Sequence, residues 1–234
     1  MVEIKICGIT DEIEIEYLNI LNPEYIGFVF ANSKRQISGE MAFKLSSNLK
    51  KNIKKVGVFR DNSINEILNL LYKVELDIIQ LHGKEDKEFI ENLRKGIPSY
   101  MKIWKAMSGN DIEDINGYFN DGYCEFNKNN EKLIDKLLID GSNPGSGEPF
   151  DLDNIEKYLN LYNKSNKNAG KEKDFFLAGG ITDENVLDRI SKIHPIGIDV
   201  SSGVEVIREN GTRIKSFEKM KNLIDKVRNN VNNI

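Results

Sequence analysis

The residues best able to do chemistry fall at the ends of short apolar runs. Cys7 closes Glu3–Cys7, Arg35 follows Tyr25–Phe30, His82 follows Asp77–Leu81, Asp140 closes Leu137–Asp140, and Asp199 lies in Ile196–Val200. A thiol with an unperturbed pKa of ~8.5 needs only a modest shift to accept a proton near neutral pH. A carboxylate after Leu137-Leu138-Ile139 can cap a turn, neutralise a lysine, or serve as a general acid if burial lifts its pKa above ~3.9. Two turns, Ala178-Gly179-Gly180-Ile181-Thr182 and Val200-Ser201-Ser202-Gly203-Val204, set small residues between a strand and a helix start. Glycine lets the backbone approach a ligand closely, and free N–H groups at a helix start suit a phosphate. Either turn alone is also explained as a tight strand–helix connection. Two in succession favour an anion seat formed by Gly179, Gly180, Ser201, Ser202 and Gly203.

Each candidate also has a plainer reading. A cysteine at a strand end is often only a small hydrophobe. Alternation nevertheless sets Ile4 and Ile6 on one face of the first strand and Lys5 and Cys7 on the other, so Cys7 falls where an inward face meets a site. His82 either bonds a backbone carbonyl or reaches a substrate. Asp199 either contacts a substrate or orients the second glycine turn, and Glu205 and Arg208 pair with each other on a short helix. The loop Gly141 to Phe150, rich in glycine and serine, is long enough to fold over a ligand and exclude water.

Short β-branched runs alternating with helical patterns must position these groups. Strands are expected at Glu3–Cys7, Tyr25–Phe30, Lys54–Phe59, Asp77–Leu81, Lys102–Ala106, Leu137–Asp140, Asp174–Ala178 and Ile196–Val200. Helical spacing runs through Asp11–Leu21, Ser63–Val74, Glu85–Arg94 and a closing amphipathic stretch, Thr212–Val227. Thr10, Asn62 or Ser63, Ser108, Asp151 and Thr182 precede periodic runs as N-caps, and Asp183-Glu184 add acidic residues to a first turn. Parallel strands joined by right-handed crossovers imply an α/β fold, a single-domain (β/α)8 TIM barrel spanning residues 1–234; a doubly wound open sheet is the competing arrangement. Two Asn/Lys-rich segments, 120–130 and 163–173, lack apolar periodicity and read as surface insertions. Cys124 falls in the first, as an incidental thiol.

Composition narrows the classes. The chain has 234 residues and a net charge of -4, with no basic footprint for nucleic acid. No apolar run approaches the ~20 residues of a membrane span, and the N-terminus lacks a signal-peptide layout. Two distant cysteines and two histidines do not make a zinc site, so no metal is expected. A reduced, cytoplasmic setting follows from the same features. Oligomeric state is left open between monomer and homodimer.

Taken together the motifs resemble phosphoribosylanthranilate isomerase. Lys5-Ile6-Cys7-Gly8-Ile9-Thr10 resembles its opening signature, and Phe30 to Arg35 its Ser-x-Arg loop. Val56-Gly57-Val58-Phe59 and Gln80-Leu81-His82-Gly83 resemble its third and fourth strands. Leu138-Ile139-Asp140 with Gly145-Ser146-Gly147 and Phe150-Asp151 resembles its sixth strand and lid, and Leu177 to Ile181 and Asp199 to Glu205 its phosphate loops. The resemblance implies a cofactor-free Amadori rearrangement of N-(5′-phosphoribosyl)anthranilate in tryptophan biosynthesis. It further implies Cys7 as general base at C2′, Asp140 as general acid at the ring oxygen, and Arg35 as the fork for the anthranilate carboxylate. His82 and Asp199 join as substrate contacts. Departures are Asp11 after Thr10, a differently spaced lid, and the two insertions. The competing readings are the histidine-pathway isomerase, with carboxylates on strands one and five, and a non-catalytic phospholigand-binding barrel.

Overall fold

Eight parallel strands hydrogen-bond in sequence order and the last pairs with the first, which closes the sheet into a barrel. The protein's structure is a computed structural model that describes residues 2–108, 133–141 and 175–230. The strands are β1 (Glu3–Cys7), β2 (Tyr25–Val29), β3 (Lys54–Phe59), β4 (Ile78–Leu81), β5 (Lys102–Ser108), β6 (Lys136–Asp140), β7 (Phe175–Ala178) and β8 (Gly197–Val200). Helices α1 (Glu12–Leu21), α2 (Gly39–Ser47), α3 (Ile64–Leu71), α4 (Lys87–Gly96), α5 (Val186–Ile193) and α6 (Phe217–Asn230) are packed around it. The closed barrel is therefore the arrangement adopted, and the open sheet is excluded. The expected insertions at 120–130 and 163–173, Cys124, the 143–150 lid, and the helices that Ser108 and Asp151 were expected to cap lie outside the described residues.

Strand alternation divides the core in two. Outward side chains such as Ile4, Ile6, Phe28, Ile79, Ile139 and Ile198 pack against the helices. Inward side chains of β3 to β7 (Val56, Val58, Ile78, Trp104, Ala106, Leu138, Phe176 and Ala178) form a separate interior cluster that also takes in Cys7. At the N-terminal end of the barrel Tyr25, Trp104 and Phe176 meet with centroids 4.7–5.6 Å apart, and Lys136 lies 5.1 Å from the Phe176 ring. Each such aromatic pair adds about 0.5–1.5 kcal/mol beyond its buried area. That plug seals one end. Beyond the Lys136–Glu3 pair at that end, the polar inward groups lie toward the other.

Capping chemistry sets several helix starts. Asp11, not Thr10, caps α1: its Oδ1 accepts from Ile13 N at 3.1 Å, while Glu14 reaches back to Thr10 N and Asp11 N. Ser63 caps α3 through the same reciprocal box with Glu66. Thr182 caps only a turn, since α5 begins after Asn185, so Asp183 and Glu184 precede the helix. The closing helix also starts later than Thr212. Arg213–Lys215 forms a strand (β10) antiparallel to Glu205–Ile207 (β9), because Asn210-Gly211 turns the chain back on itself. Glu205 thus sits on a strand, and Arg208 pairs with Asp11 at 3.0 Å in place of Glu205.

Candidate active site

One cavity of about 180 Å³ opens at the C-terminal ends of the strands. Its lining includes every site residue expected from the sequence: Cys7, Arg35, His82, Asp140, Gly179, Gly180, Asp199, Ser201, Ser202 and Gly203. Closure puts β6 and β1 three places apart around the ring, with β7 and β8 between them. The two glycine turns therefore occupy the rim between Asp140 and Cys7. Loop residues after β2 and β3 face them from the other side.

The turns approach each other too closely for larger residues. A Cβ on Gly203 would stand 1.9 Å from the Ile181 carbonyl oxygen. Gly179 has φ +93°, which favours glycine, and a Cβ there would stand 2.8 Å from Asp140 Oδ1. Among the described residues the amides of Gly180, Ser202 and Gly203 find no backbone acceptor, so these donors are available to an anion. The second turn leads into a single 3₁₀ turn (Ser202–Val204) and then β9, where a longer helix was expected. Ser201 Oγ donates to Cys7 O at 3.0 Å, fixing that turn to the end of β1.

Asp140 is buried and held on both oxygens. Gly141 N donates to Oδ1 at 2.7 Å, and His82 Nε2 stands 3.2 Å from Oδ2. Gln80 Nε2 lies 3.0 Å from His82 Nδ1. With that amide donating, the imidazole proton resides on Nε2 and is given to Asp140. His82 is thus engaged by Asp140 and Gln80, not by a backbone carbonyl, and part of its ring lines the cavity. Among the described residues Gln80 Oε1 is buried without a partner, which leaves the amide able to turn and accept from Nδ1 instead.

Cys7 forms the floor. Burial pushes its thiol up from the ordinary value, Lys5 opposes that rise, Asp199 adds to it, and Lys215 again opposes. The small shift toward neutrality expected from sequence is not what the cavity imposes, because desolvation outweighs the neighbouring cations. Asp199 is paired with Lys5, Nζ to Oδ2 at 2.8 Å, across the β1–β8 register. Its Oδ1 has no partner among the described residues.

Arg35 reaches the rim already engaged. Its Nε and Nη2 donate to the two oxygens of Glu205 at 2.6 and 2.9 Å. Glu205 also accepts from Lys215 Nζ at 2.7 Å, and Lys215 Nζ bonds Ser201 O at 3.1 Å. Burial disfavours the Glu205 charge, yet Arg35 and Lys215 together hold its carboxyl down to about 2. Among the described residues Nη1 has no hydrogen-bond partner, so that edge is open to a ligand. Arg60, at the end of β3, also lines the cavity and was missed in the sequence reading. The signal was present, since Arg60 follows Phe59 at a strand end as Cys7 and Asp140 do.

A closed barrel with a thiol, carboxylates, two arginines and paired glycine turns at its mouth belongs to the (β/α)8-barrel enzymes acting on small anionic substrates. Residues 4–226 match the family model of N-(5′-phosphoribosyl)anthranilate isomerase. The chain belongs to that family. It is 52% identical over 231 residues to the N-(5′-phosphoribosyl)anthranilate isomerase of Clostridium beijerinckii, covering 97% of this chain and 98% of the other. Its fold is similar to that of the phosphoribosyl anthranilate isomerase from Thermus thermophilus (TM-score 0.76, 29% identity, 97% and 99% covered). A further similar structure is a phosphoribosyl anthranilate isomerase in complex with reduced 1-(o-carboxyphenylamino)-1-deoxyribulose 5-phosphate (TM-score 0.74, 29% identity, 98% and 100% covered).

Proposed function

We propose that this isomerase converts N-(5′-phosphoribosyl)anthranilate to 1-(2-carboxyphenylamino)-1-deoxyribulose 5-phosphate with Asp140 as general acid and Cys7 as general base. The observation that carries this reading is that one cavity holds both groups with the glycine turns between them. The phosphate docks on the amides of Gly180, Ser202 and Gly203, with Gly179 and Ser201 shaping the seat. Arg35, held by Glu205, and Arg60 face the anthranilate carboxylate. Asp199 Oδ1 accepts from a sugar hydroxyl.

The steps follow from this placement. Asp140 donates its proton to the furanose ring oxygen, and the C1′–O bond breaks as the anilino nitrogen lone pair forms the iminium. The Cys7 thiolate then takes the C2′ proton, and the freed electron pair makes the C1′–C2′ double bond and neutralises the nitrogen. The resulting enolamine becomes the ketone by moving a proton from the 2′-hydroxyl to C1′, and the proton now on Cys7 passes through solvent back to Asp140, which restores both groups for the next turnover. No electron is gained or lost overall, so the chemistry is an internal proton redistribution. His82 keeps Asp140 directed at the ring oxygen.

The test is turnover and ligand binding in Cys7→Ser and Asp140→Asn. Retained product binding with turnover lowered by about 10²–10⁴-fold is expected for each. Unchanged turnover in either variant sinks that assignment. Restored growth of a tryptophan auxotroph lacking this isomerase checks the substrate; failure with soluble protein present argues against it.

A further inference from the structure

Lys5 is fully buried inside the barrel, and the acid–base scheme leaves it without a task. An ammonium withdrawn from water must be paired and hydrogen-bonded to persist. Its Nζ carries three donors, and Asp199 Oδ2 accepts one at 2.8 Å. Cys7 follows two residues later on the same inward face, one layer nearer the cavity. With both side chains on that face, the Lys5 charge favours the Cys7 thiolate and opposes the rise that burial imposes. On β2, Gly27 makes room for that sulfur, since a Cβ there would stand 2.7 Å from Sγ.

Other charges around the thiol are already committed. Lys215 and Arg35 are both taken up by Glu205 from the β9–β10 hairpin and the loop after β2. Asp199 on β8 faces the sulfur with like charge once a thiolate forms. His82 and Asp140 pair with each other across the cavity, and Arg60 lies exposed at the rim. That leaves Lys5 as the described cation placed to answer both anions.

We propose that Lys5 is a positioning residue for the base: its buried ammonium, anchored on β8 by Asp199, holds the Cys7 thiolate at the cavity floor. The inference rests on Cys7 being the base. When the C2′ proton passes to sulfur, Lys5 neither gains nor loses a proton. It stabilises the charge that the transfer consumes. In this role it also spaces the two anions, each of which would otherwise disfavour the other.

The experiment uses the full chain with Cys124→Ser, so that Cys7 is the remaining thiol. Alkylation by iodoacetamide and kcat/KM are each followed against pH, with and without Lys5→Met. Loss of the ammonium is expected to slow alkylation at neutral pH on the order of tenfold. Both profiles should move toward higher pH by about one unit, one unit being tenfold in thiolate. Lys5→Arg, which keeps the charge, should restore most of the shift. Should Lys5→Met fail to fold around an unpaired Asp199, Lys5→Met/Asp199→Asn removes both charges and should shift the profiles in the same direction. Profiles that stay in place while kcat or thermal stability falls would make Lys5 a structural counter-ion and overturn the proposal. Turnover that survives Cys7→Ser overturns the base assignment instead. Turnover lost in Cys7→Ser with unmoved Lys5 profiles overturns the Lys5 role alone.

Discussion

Replacing Gly203 with alanine tests the phosphate seat most directly, because the perturbation can be sized from the backbone alone. The new Cβ would lie 1.9 Å from the Ile181 carbonyl oxygen and 2.9 Å from its carbon, both backbone atoms that no rotamer can move aside. Relief requires the two turns to separate by roughly 1 Å, since packed interiors leave no gap to absorb the methyl group. Overpacking of this kind costs about 1–3 kcal/mol, and each kcal/mol lowers Tm by about 2–4 °C in a domain of this size. A displacement of about 1 Å in a positioning group costs about 10²-fold, expected here in kcat/KM. The loss should fall mainly on KM, because the phosphate is bound equally before and during the reaction. Steady-state kinetics, competitive inhibition by inorganic phosphate, and a thermal melt together give the three readouts. A folded Gly203→Ala protein with wild-type KM and wild-type phosphate inhibition would refute the assignment of these turns to the phosphate.

Glu205→Gln is expected to unlock Arg35 and strand Lys215, destabilising the fold by about 3–5 kcal/mol and raising KM. Because the folded carboxyl is held at about 2, below the ordinary ~4.3, its stabilisation is present above the ordinary value and is lost as pH falls toward about 2. Urea unfolding at stepped pH should show the wild-type advantage shrinking across that window; an undiminished gap at the acid end contradicts the linkage. His82→Phe should lower kcat about tenfold with KM little changed, since it positions the acid without touching the anionic ends; a KM effect of equal size would place His82 on the substrate. Arg60→Met should raise KM about tenfold and leave kcat unchanged, as measured with substrate and with an analogue lacking the carboxylate; equal losses on both would remove Arg60 from carboxylate binding. Burial raises the Cys7 thiol, so its contribution to stability holds below the ordinary thiol value and disappears as pH climbs through the raised one. Cys7→Ala should flatten that alkaline decline in an unfolding series, and an unaltered slope would speak against a buried neutral thiol.

Much of this protein was written locally. Period-two alternation placed Lys5 and Cys7 inside and Ile4 and Ile6 outside, and the barrel adopts that assignment. Strand ends followed by Gly-Gly and Ser-Ser-Gly marked the rim, since such turns depend on backbone freedom that only a few residues supply. Asp140 was legible as a carboxylate closing an apolar run. Helix starts were less so: Thr10 and Asp11 are both good caps, and reciprocal bonding with Glu14 decides between them. The closing helix is shorter than its periodicity suggests because Arg213–Lys215 fits a helical period as well as a strand, and pairing with Glu205–Ile207 settles it. What tertiary structure alone decided was who pairs with whom. Lys5 meets Asp199 across 194 residues and Arg35 meets Glu205 across 170, because closing the barrel brings β8 beside β1 and folds the last hairpin over the loop after β2. Ion pairing falls off with distance in space and is blind to separation along the chain, so no local pattern can announce it.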